Sequence, residues 1–281
     1  MSIKISSDST CDLSKELIES NDIGIIPLYI ILGSETYRDG VDVSVQDVFN
    51  YITTTKQLPH TAALAEEEYA EKFEEYLKEY DEVIHFNISS KASVTHEGAK
   101  KAAQRFGGKV QVIDSLHLST GQGLLVLKAC DLLKEGKSSA QIVEEINALR
   151  AKVNTSFIPD SLDNLHKGGR CSLAALMGAK VLKLHPMIDM KDGKLYAKKK
   201  YMGSIDRCLK KYVEELAVDH PNYDKTRCFI THSHCSPETV AKVKEVIENH
   251  FHFDEIIETF AGCTVSVHCG QGTLGVLFIY D

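Results

Sequence analysis

A hydroxyl-rich stretch, residues 89–97, contains the side chains best suited to binding chemistry. It follows an apolar run, residues 82–88, which predicts a strand, and it leads into a helical pattern at residues 97–106. The first turn of a helix carries unpaired backbone N–H groups and partial positive charge, so it attracts anions. Ser93 therefore has two interpretations: it caps the helix, or it binds an anion at the helix start.

His268 is the second candidate for binding chemistry. We expect residues 264–268 to form a strand that ends at His268, just before a glycine-containing loop. An imidazole in this position can donate to a carboxylate or relay a hydrogen bond between hydroxyls. A buried core histidine is the alternative interpretation.

The glycine loop from Gly270 to Gly275 matches the pattern G-x-G-x-x-G. In a dinucleotide site this pattern opens a helix that receives the pyrophosphate, whereas here only a strand follows. His232, His234 and Cys235 lack a third and fourth ligand at a spacing typical of a metal site. We therefore predict neither a cofactor nor a metal.

The composition is that of a soluble globular protein. Of 281 residues, 43% are hydrophobic and 26% are charged, and no apolar run reaches the ~18 residues of a membrane span. The first residues lack the apolar core of a signal peptide, and the eight cysteines contain no C-x-x-C pair. These features predict a cytoplasmic protein with reduced thiols and no stable membrane insertion. The net charge of -8 opposes nucleic-acid binding.

Strand and helix patterns alternate along the first half of the chain, which is typical of a parallel or mixed sheet covered by helices. We predict strands at 3–7, 23–32, 82–88 and 109–113, and helices at 14–20, 45–53, 66–78, 97–106, 119–134 and 138–152. Residues 57–65 are predicted to form a loop. Ligands of such sheets bind beyond the carboxyl ends of the strands, so the turns at 8–12, 89–95 and 114–115 share one binding edge.

The second half of the chain predicts an α+β lobe with a mixed sheet. Asp192-Gly193 supplies the positive φ of a tight turn between the two strands of a hairpin. We predict strands at 183–190, 195–200, 227–232, 254–259, 264–268 and 274–280, and helices at 160–166, 173–181, 204–217 and 237–249. Lysines and arginines are concentrated at residues 178–211. This basic segment is either a solvated face or a docking surface for an acidic partner.

Five stretches, in the same order along nearly the whole chain, resemble the DegV family. They are Asp8-Ser9-Thr10-Cys11-Asp12-Leu13, Ser89-Ser90-x-x-Ser93-x-Thr95, Ile113-Asp114-Ser115, Lys167-Gly168-Gly169-Arg170 and His268-x-Gly270-x-Gly272-Thr273-Leu274-Gly275. The resemblance implies an α/β protein of two lobes. An N-terminal Rossmann-like domain at residues 1–155 and a C-terminal α/β domain at residues 156–281 would enclose a lipid tunnel between them.

The resemblance also implies a function. Such proteins hold one long-chain fatty acid, such as palmitate, stearate or oleate, without a covalent bond. They present its carboxylate to a fatty acid kinase, which makes acyl phosphate for phospholipid synthesis, and they do no chemistry alone. On this basis we expect a lipid-binding carrier subunit with no catalytic residue.

The family's binding residues transfer to this sequence one by one. The two hydroxyls that hold the carboxylate fall on Thr61 and Ser93, the backbone donor falls on Val94, and the supporting histidine falls on His268. Arg170 matches the arginine near the tunnel mouth or the partner surface. A carboxylate that receives two hydroxyls and an N–H at a helix start is held by charge-assisted hydrogen bonds.

The sequence departs from the family pattern at several positions. Residues 62–64 are Ala-Ala-Leu where Ser-Gln-Pro is common, Val94 stands where glycine is usual, and Gln271 replaces a common proline. Met202 takes the place of an arginine in the Lys-Tyr-Arg-Gly version of the loop at 200–203. We expect Val94 to narrow the pocket and the missing arginine to weaken coupling to a partner.

Two other functions stay open. In the first, His268 activates Ser93 as the nucleophile of an acyl-transferring or hydrolytic enzyme. In the second, the protein is a lipid-binding regulatory module without a kinase. A covalent acyl adduct would distinguish the enzyme from a carrier, and turnover by a kinase would distinguish the carrier from the regulatory module.

Overall fold

The computed structural model describes residues 2–170 and 184–281 of the chain. The predicted helix at 173–181 lies outside these residues. The first lobe comprises β1 (Ile3–Asp8), α1 (Lys15–Ser20), β2 (Gly24–Ile26), β3 (Tyr29–Leu32), β4 (Glu35–Arg38), α2 (Val45–Thr55), β5 (His60–Ala62), α3 (Glu66–Tyr76), β6 (Glu82–Asn87), α4 (Thr95–Ala103), β7 (Val110–Asp114), α5 (Ser119–Lys134) and α6 (Ser139–Leu149). The second lobe comprises β8 (Val153–Ile158), α7 (Asp163–Lys167), β9 (Leu184–Lys191), β10 (Lys194–Met202), α8 (Ile205–Asp219), β11 (Tyr223–His232), α9 (Pro237–His250), β12 (Glu255–Phe260), α10 (Cys263–Cys269) and β13 (Leu274–Tyr280).

A four-stranded parallel sheet, in the order β2-β1-β6-β7, forms the centre of the first lobe. Because the strands are parallel, the chain leaves β1 at Asp8, β6 at Asn87 and β7 at Asp114 along the same edge. This edge carries the three polar turns that the sequence predicts there.

A six-stranded mixed sheet, in the order β10-β9-β8-β13-β11-β12, forms the second lobe. Strands β11 and β12 run parallel, and the other described pairs are antiparallel. The turn between β9 and β10 places Asp192 at φ 50 and Gly193 at φ 80, the left-handed backbone that a tight hairpin requires. The predicted hairpin is confirmed.

Helix α5 lies between the two sheets and joins the lobes through its packing. Most of its residues are buried, as expected of a helix covered by protein on opposite faces. A Cβ on Gly121 would lie 2.0 Å from Thr155 Oγ1 in β8, and a Cβ on Gly123 would lie 2.7 Å from the Cys11 carbonyl in the first lobe. The two glycines therefore allow the helix backbone to approach both lobes closely.

A three-stranded antiparallel sheet, in the order β4-β3-β5, extends the first lobe toward α10. Ile30 of this small sheet and Val48 and Phe49 of α2 belong to one buried cluster with Cys263 and Val267 of α10. A helix from the second half of the chain is thereby docked on the first lobe.

Three local predictions are wrong. Residues 23–32 do not form one strand, because Pro27 lacks an N–H to donate and separates β2 from β3, which belong to different sheets. The predicted loop at 57–65 contains β5, which pairs with β3. Residues 264–268 are helical, so His268 lies near the end of a helix and not of a strand.

Strand β8 is missing from the sequence prediction because its polar residues obscure the apolar pattern. Asn154 and Ser156 are buried in it, where the Asn154 amide donates to the Val276 carbonyl and the Ser156 hydroxyl lies 2.9 Å from Tyr212 Oη. The strand pairs with β13 and spans the predicted boundary between residues 155 and 156. The division of the chain into domains at that point stays a prediction.

Candidate functional site

A pocket of about 670 Å³ is lined by residues of both lobes. Its volume is in the range of small-molecule sites. All five residues that the sequence analysis proposes for the site line this pocket: Thr61, Ser93, Val94, Arg170 and His268. The rest of the wall is mostly apolar and includes Leu28, Leu64, Leu118, Leu165, Leu195 and Val265.

Thr61 and His268 form a direct contact in the pocket wall. Thr61 Oγ1 and His268 Nε2 are 2.9 Å apart, although the two residues are 207 positions apart in the chain. Thr61 lies in β5, opposite Ile30 of β3, and α10 packs on the same small sheet. The small sheet therefore fixes both partners of this hydrogen bond.

Carboxylates of the first lobe hold the N-terminus of α10. Asp39 follows β4, and it accepts the N–H of Cys263 at 3.0 Å, the N–H of Thr264 at 3.2 Å and the Thr264 hydroxyl at 2.7 Å. Asp12 accepts the N–H of Gly262 at 2.9 Å. These bonds satisfy N–H groups that the start of a helix leaves unpaired. They explain why this segment is helical.

His268 is neutral at pH 7. Its burial and, secondarily, the positive charge of Arg170 lower the pKa of the imidazole to about 4. Its Nδ1 is buried and has no hydrogen-bond partner among the described residues. A Cβ on Gly168 would lie only 2.5 Å from this nitrogen, so the Gly168 backbone covers that side of the ring. Nε2 is therefore the ring nitrogen that is available for hydrogen bonding at the pocket.

Ser93 contacts the start of α4 and also lines the pocket. Its Oγ accepts the N–H of Thr95 at 3.2 Å and lies 2.7 Å from Thr95 Oγ1. Helix α4 begins at Thr95, with Val94 in the N-cap position. The Ser93 hydroxyl thus satisfies the first helical N–H while it also lines the pocket.

Val94 offers an N–H at the start of α4. This N–H has no hydrogen-bond partner within the part of the chain that the structure describes. The Val94 side chain lines the pocket and is 75% exposed. An anion near Ser93 can therefore accept a hydrogen bond from the Val94 N–H. The expected narrowing of the pocket by the Val94 side chain stays a prediction.

Two cations lie at the same pocket. Arg170 is exposed, and its Nε donates to the Ala92 carbonyl at 3.4 Å, which brings the guanidinium against the loop that carries Ser93. Lys91 also lines the pocket. Both cations attract a carboxylate, but their exposure to solvent and salt limits the energy of that attraction.

Lys91, Asp39 and Gly168 contribute to the site but were not predicted from the sequence. Lys91 is the one cation of the stretch at residues 89–97, and that charge was the available signal. Asp39 is 225 residues from Thr264 in the chain, and Gly168 is adjacent to His268 only in the folded protein. No local pattern reports either contact.

The side chains that suggest a metal have other neighbours. His232 Nε2 lies 3.1 Å from the Glu258 carboxylate, and the His234 ring packs edge-on against Phe49. Within residues 2–170 and 184–281, no group of three or more His, Cys, Asp or Glu side chains could hold a metal ion. No helix in the same two ranges has the length and apolar character needed to cross a bilayer.

Comparisons with known proteins agree with this architecture. The model of a family described as "Uncharacterised protein, DegV family" matches residues 2–281. A DegV domain-containing protein of Clostridium perfringens is 32% identical over 282 residues, with 99% of each chain covered. The structure of a fatty-acid-binding DegV family protein from Thermus thermophilus has a TM-score of 0.90, with 29% identity and 100% of each chain covered. That of a stearic-acid-binding protein from Eubacterium ventriosum has a TM-score of 0.85, with 28% identity and coverage of 99% of this chain and 98% of the other. The predicted fold class is confirmed.

Proposed function

The chain belongs to the DegV family, and we propose that it binds one long-chain fatty acid without a covalent bond. The observation that carries this proposal is the presence of Thr61, Ser93, the Val94 N–H and His268 at one pocket with an otherwise mostly apolar wall. A long-chain fatty acid has the same division into a carboxylate and an apolar chain. The fatty-acid-binding relatives from Thermus thermophilus and Eubacterium ventriosum support this class of ligand.

We assign the carboxylate to the polar residues of the pocket. The hydroxyls of Thr61 and Ser93 and the N–H of Val94 donate to its two oxygens at the start of α4. Neutral His268 carries its proton on Nε2 and donates it to Thr61 Oγ1, which leaves the Thr61 hydroxyl hydrogen for the carboxylate. The buried, unpartnered Nδ1 of His268 supports this tautomer.

The two parts of the pocket contribute different energies. Burial of an acyl chain contributes ~0.8 kcal/mol per CH₂ group, so a long chain supplies most of the binding free energy. A charge at a helix start contributes only ~0.3–2 kcal/mol. The apolar wall therefore determines affinity, and Thr61, Ser93 and His268 determine the orientation of the acid.

We propose a carrier and not an enzyme. A serine nucleophile needs a hydrogen bond to its base, and the hydrogen bonds of the described residues include none between Ser93 and His268. Ser93 Oγ is instead bonded to Thr95, and His268 Nε2 is bonded to Thr61. The lowered pKa of His268 also makes the imidazole a weak base. Incubation with an activated acyl donor should therefore add no covalent mass.

We further propose that the protein works in the cytoplasm and presents the carboxylate to a fatty acid kinase, which makes acyl phosphate for phospholipid synthesis. Arg170 lies where the pocket meets solvent and is available to such a partner. In the basic segment, Lys198 and Lys199 pair with acidic side chains of their own lobe. Lys200 and Arg207 are exposed and have no ion pair among the described residues, so they are the better docking candidates.

The ligand proposal is tested by extraction of the purified recombinant protein with organic solvent, together with a native mass spectrum. We expect one long-chain fatty acid per chain, with a composition that reflects the preferred tail in the expression host. Protein that carries no lipid and also binds neither palmitate nor oleate would refute the proposal.

A further inference from the structure

The tip of the β9–β10 hairpin reaches from the second lobe to the loop that carries Ser93. The hydroxyl of Ser89, which is fully buried, donates to the Gly193 carbonyl at 2.7 Å. Leu195, next to this tip, lines the same pocket as Ser93. The contact therefore joins the hairpin of one lobe to the polar end of the pocket in the other.

Ser89 also organises the backbone of the loop itself. Its hydroxyl oxygen accepts the N–H of Lys91 at 3.2 Å, and its carbonyl accepts the N–H groups of Ala92 at 2.9 Å and Ser93 at 3.0 Å. Its own N–H donates to the His117 carbonyl at 2.8 Å. The position of Ser93 is thus built directly on Ser89, through a turn of the kind that serine hydroxyls stabilise.

The fit between the hairpin tip and the loop is tight. A Cβ on Gly193 would lie 2.6 Å from Ser89 Oγ, 3.1 Å from Lys91 Cγ and 3.2 Å from Leu116 Cδ2. Gly193 also has a φ of 80, which side chains rarely adopt. A larger residue at Gly193 would therefore displace the loop that carries Ser93. Loss of the Ser89 hydroxyl would remove the hydrogen bond that holds the tip against this loop.

We propose that the hairpin tip, residues 191–194, is a strap that holds the loop of Ser93 in place through the Ser89 hydroxyl. Ser89 is then a positioning residue for the carboxylate of the bound acid, although it does not itself touch that carboxylate. This inference rests on the proposed function, because it assigns a task in fatty-acid binding. It adds a contact from the second lobe to the residues that fix the head group.

The Ser89→Ala change removes the bond to the hairpin and the acceptor for the Lys91 N–H. The loop then has no hydrogen bond from residue 89 to the hairpin tip, while the apolar wall of the pocket is unchanged. With the loop held less firmly, the acid should dissociate about three- to tenfold faster, which is the change expected when its carboxylate loses about one hydrogen bond. A purely structural role for Ser89 would lower the melting temperature and leave the environment of the bound carboxylate unchanged.

Nuclear magnetic resonance of bound palmitate separates these two roles. One sample carries carbon-13 at the carboxyl carbon and another at the terminal methyl, and each is bound to the full-length protein. We expect Ser89→Ala and Gly193→Ala to move the carboxyl resonance and to leave the methyl resonance in place. Gly136→Ala is the matched control, because Gly136 has a φ of 81 and nothing within 4 Å of an added Cβ. It should cause the same backbone strain without moving either resonance.

The double variant Ser89→Ala with Gly193→Ala adds a second test. Removal of the Ser89 oxygen removes the closest atom that the new Cβ meets, so the carboxyl resonance of the double variant should move by less than the sum of the movements in the two single variants. A carboxyl resonance that stays at its native position in bound Ser89→Ala would overturn the strap, as would equal movement of both resonances. Native protein that binds no palmitate would instead refute the proposed function, and the strap with it.

Discussion

The Thr61→Val substitution tests the polar end of the pocket with little change in shape. Valine keeps the volume and branching of threonine but has no hydroxyl. The native hydroxyl lies 2.9 Å from His268 Nε2 and lines the pocket beside Ser93. The variant therefore removes the group that links the neutral histidine to the proposed carboxylate.

The size of the effect follows from the bonds that are lost. A hydrogen bond to a charged group contributes about 1.5–3 kcal/mol, and about 1.4 kcal/mol corresponds to a tenfold change in affinity. Palmitate should therefore bind roughly 10- to 150-fold more weakly to Thr61→Val. The apolar wall is unchanged, so binding should weaken but not disappear.

Displacement of a fluorescent fatty acid by palmitate measures this loss. Thr54→Val is the matched control, because Thr54 is exposed on α2 and away from the pocket. Hexadecanol provides a second control, since an uncharged head group gains less from the hydroxyl and should lose less affinity. Equal palmitate affinity in Thr61→Val and native protein would refute the placement of the carboxylate at Thr61.

Three further predictions concern His268 and the proposed partner. Because burial lowers the pKa of His268 to about 4, the unfolded chain binds a proton between about pH 6.5 and pH 4 that the native protein does not. The free energy of unfolding should fall as pH drops through this window, and His268→Gln should make urea-unfolding midpoints less dependent on pH there; an unchanged dependence would contradict a neutral imidazole. Gly168→Ala places a Cβ 2.5 Å from His268 Nδ1, and displacement of the ring by overpacking of about 1–3 kcal/mol should weaken palmitate binding roughly 5- to 150-fold in a displacement assay; native affinity would show that the ring position is unimportant. Lys200→Glu should slow acyl phosphate formation by a fatty acid kinase severalfold at low salt without altering palmitate affinity. Lys56→Glu, in the first lobe, should change neither the rate of acyl phosphate formation nor palmitate affinity. Equal rates for the two variants would remove Lys200 from the docking surface.

The parts of the fold that depend on short-range patterns could be predicted from the sequence. Asp192-Gly193 adopts the left-handed turn that this dipeptide favours, and the hairpin around it forms as predicted. The turns after β1, β6 and β7 lie on one edge because parallel strands impose this arrangement. In these places the residues that determine the structure are neighbours in the chain.

Helix α10 shows where short-range patterns fail. Its alternating valines resemble a strand, but Asp12 and Asp39 of the first lobe accept the N–H groups at its start. Asp12 and Gly262 are 250 residues apart in the chain, so the sequence around α10 does not indicate this contact. The break at Pro27 had a local signal, which the apolar run around it outweighed.

The site itself was predictable only in part. The hydroxyls before α4 and the residues transferred by resemblance line one pocket, as the sequence analysis expects. The contacts that orient them, such as Gly168 against His268 and Gly193 against Ser89, join segments from different lobes or distant loops. Each contact joins segments that are far apart in the chain, so no single segment specifies it.

A crystal structure of the protein with bound palmitate tests the proposed position of the carboxylate. We predict one acid in the pocket between the lobes, with its carboxylate oxygens about 2.5–3.2 Å from Thr61 Oγ1, Ser93 Oγ and the Val94 nitrogen, and with its chain along the apolar wall. An acid bound in the opposite direction, or at another surface of the protein, would refute this position of the carboxylate.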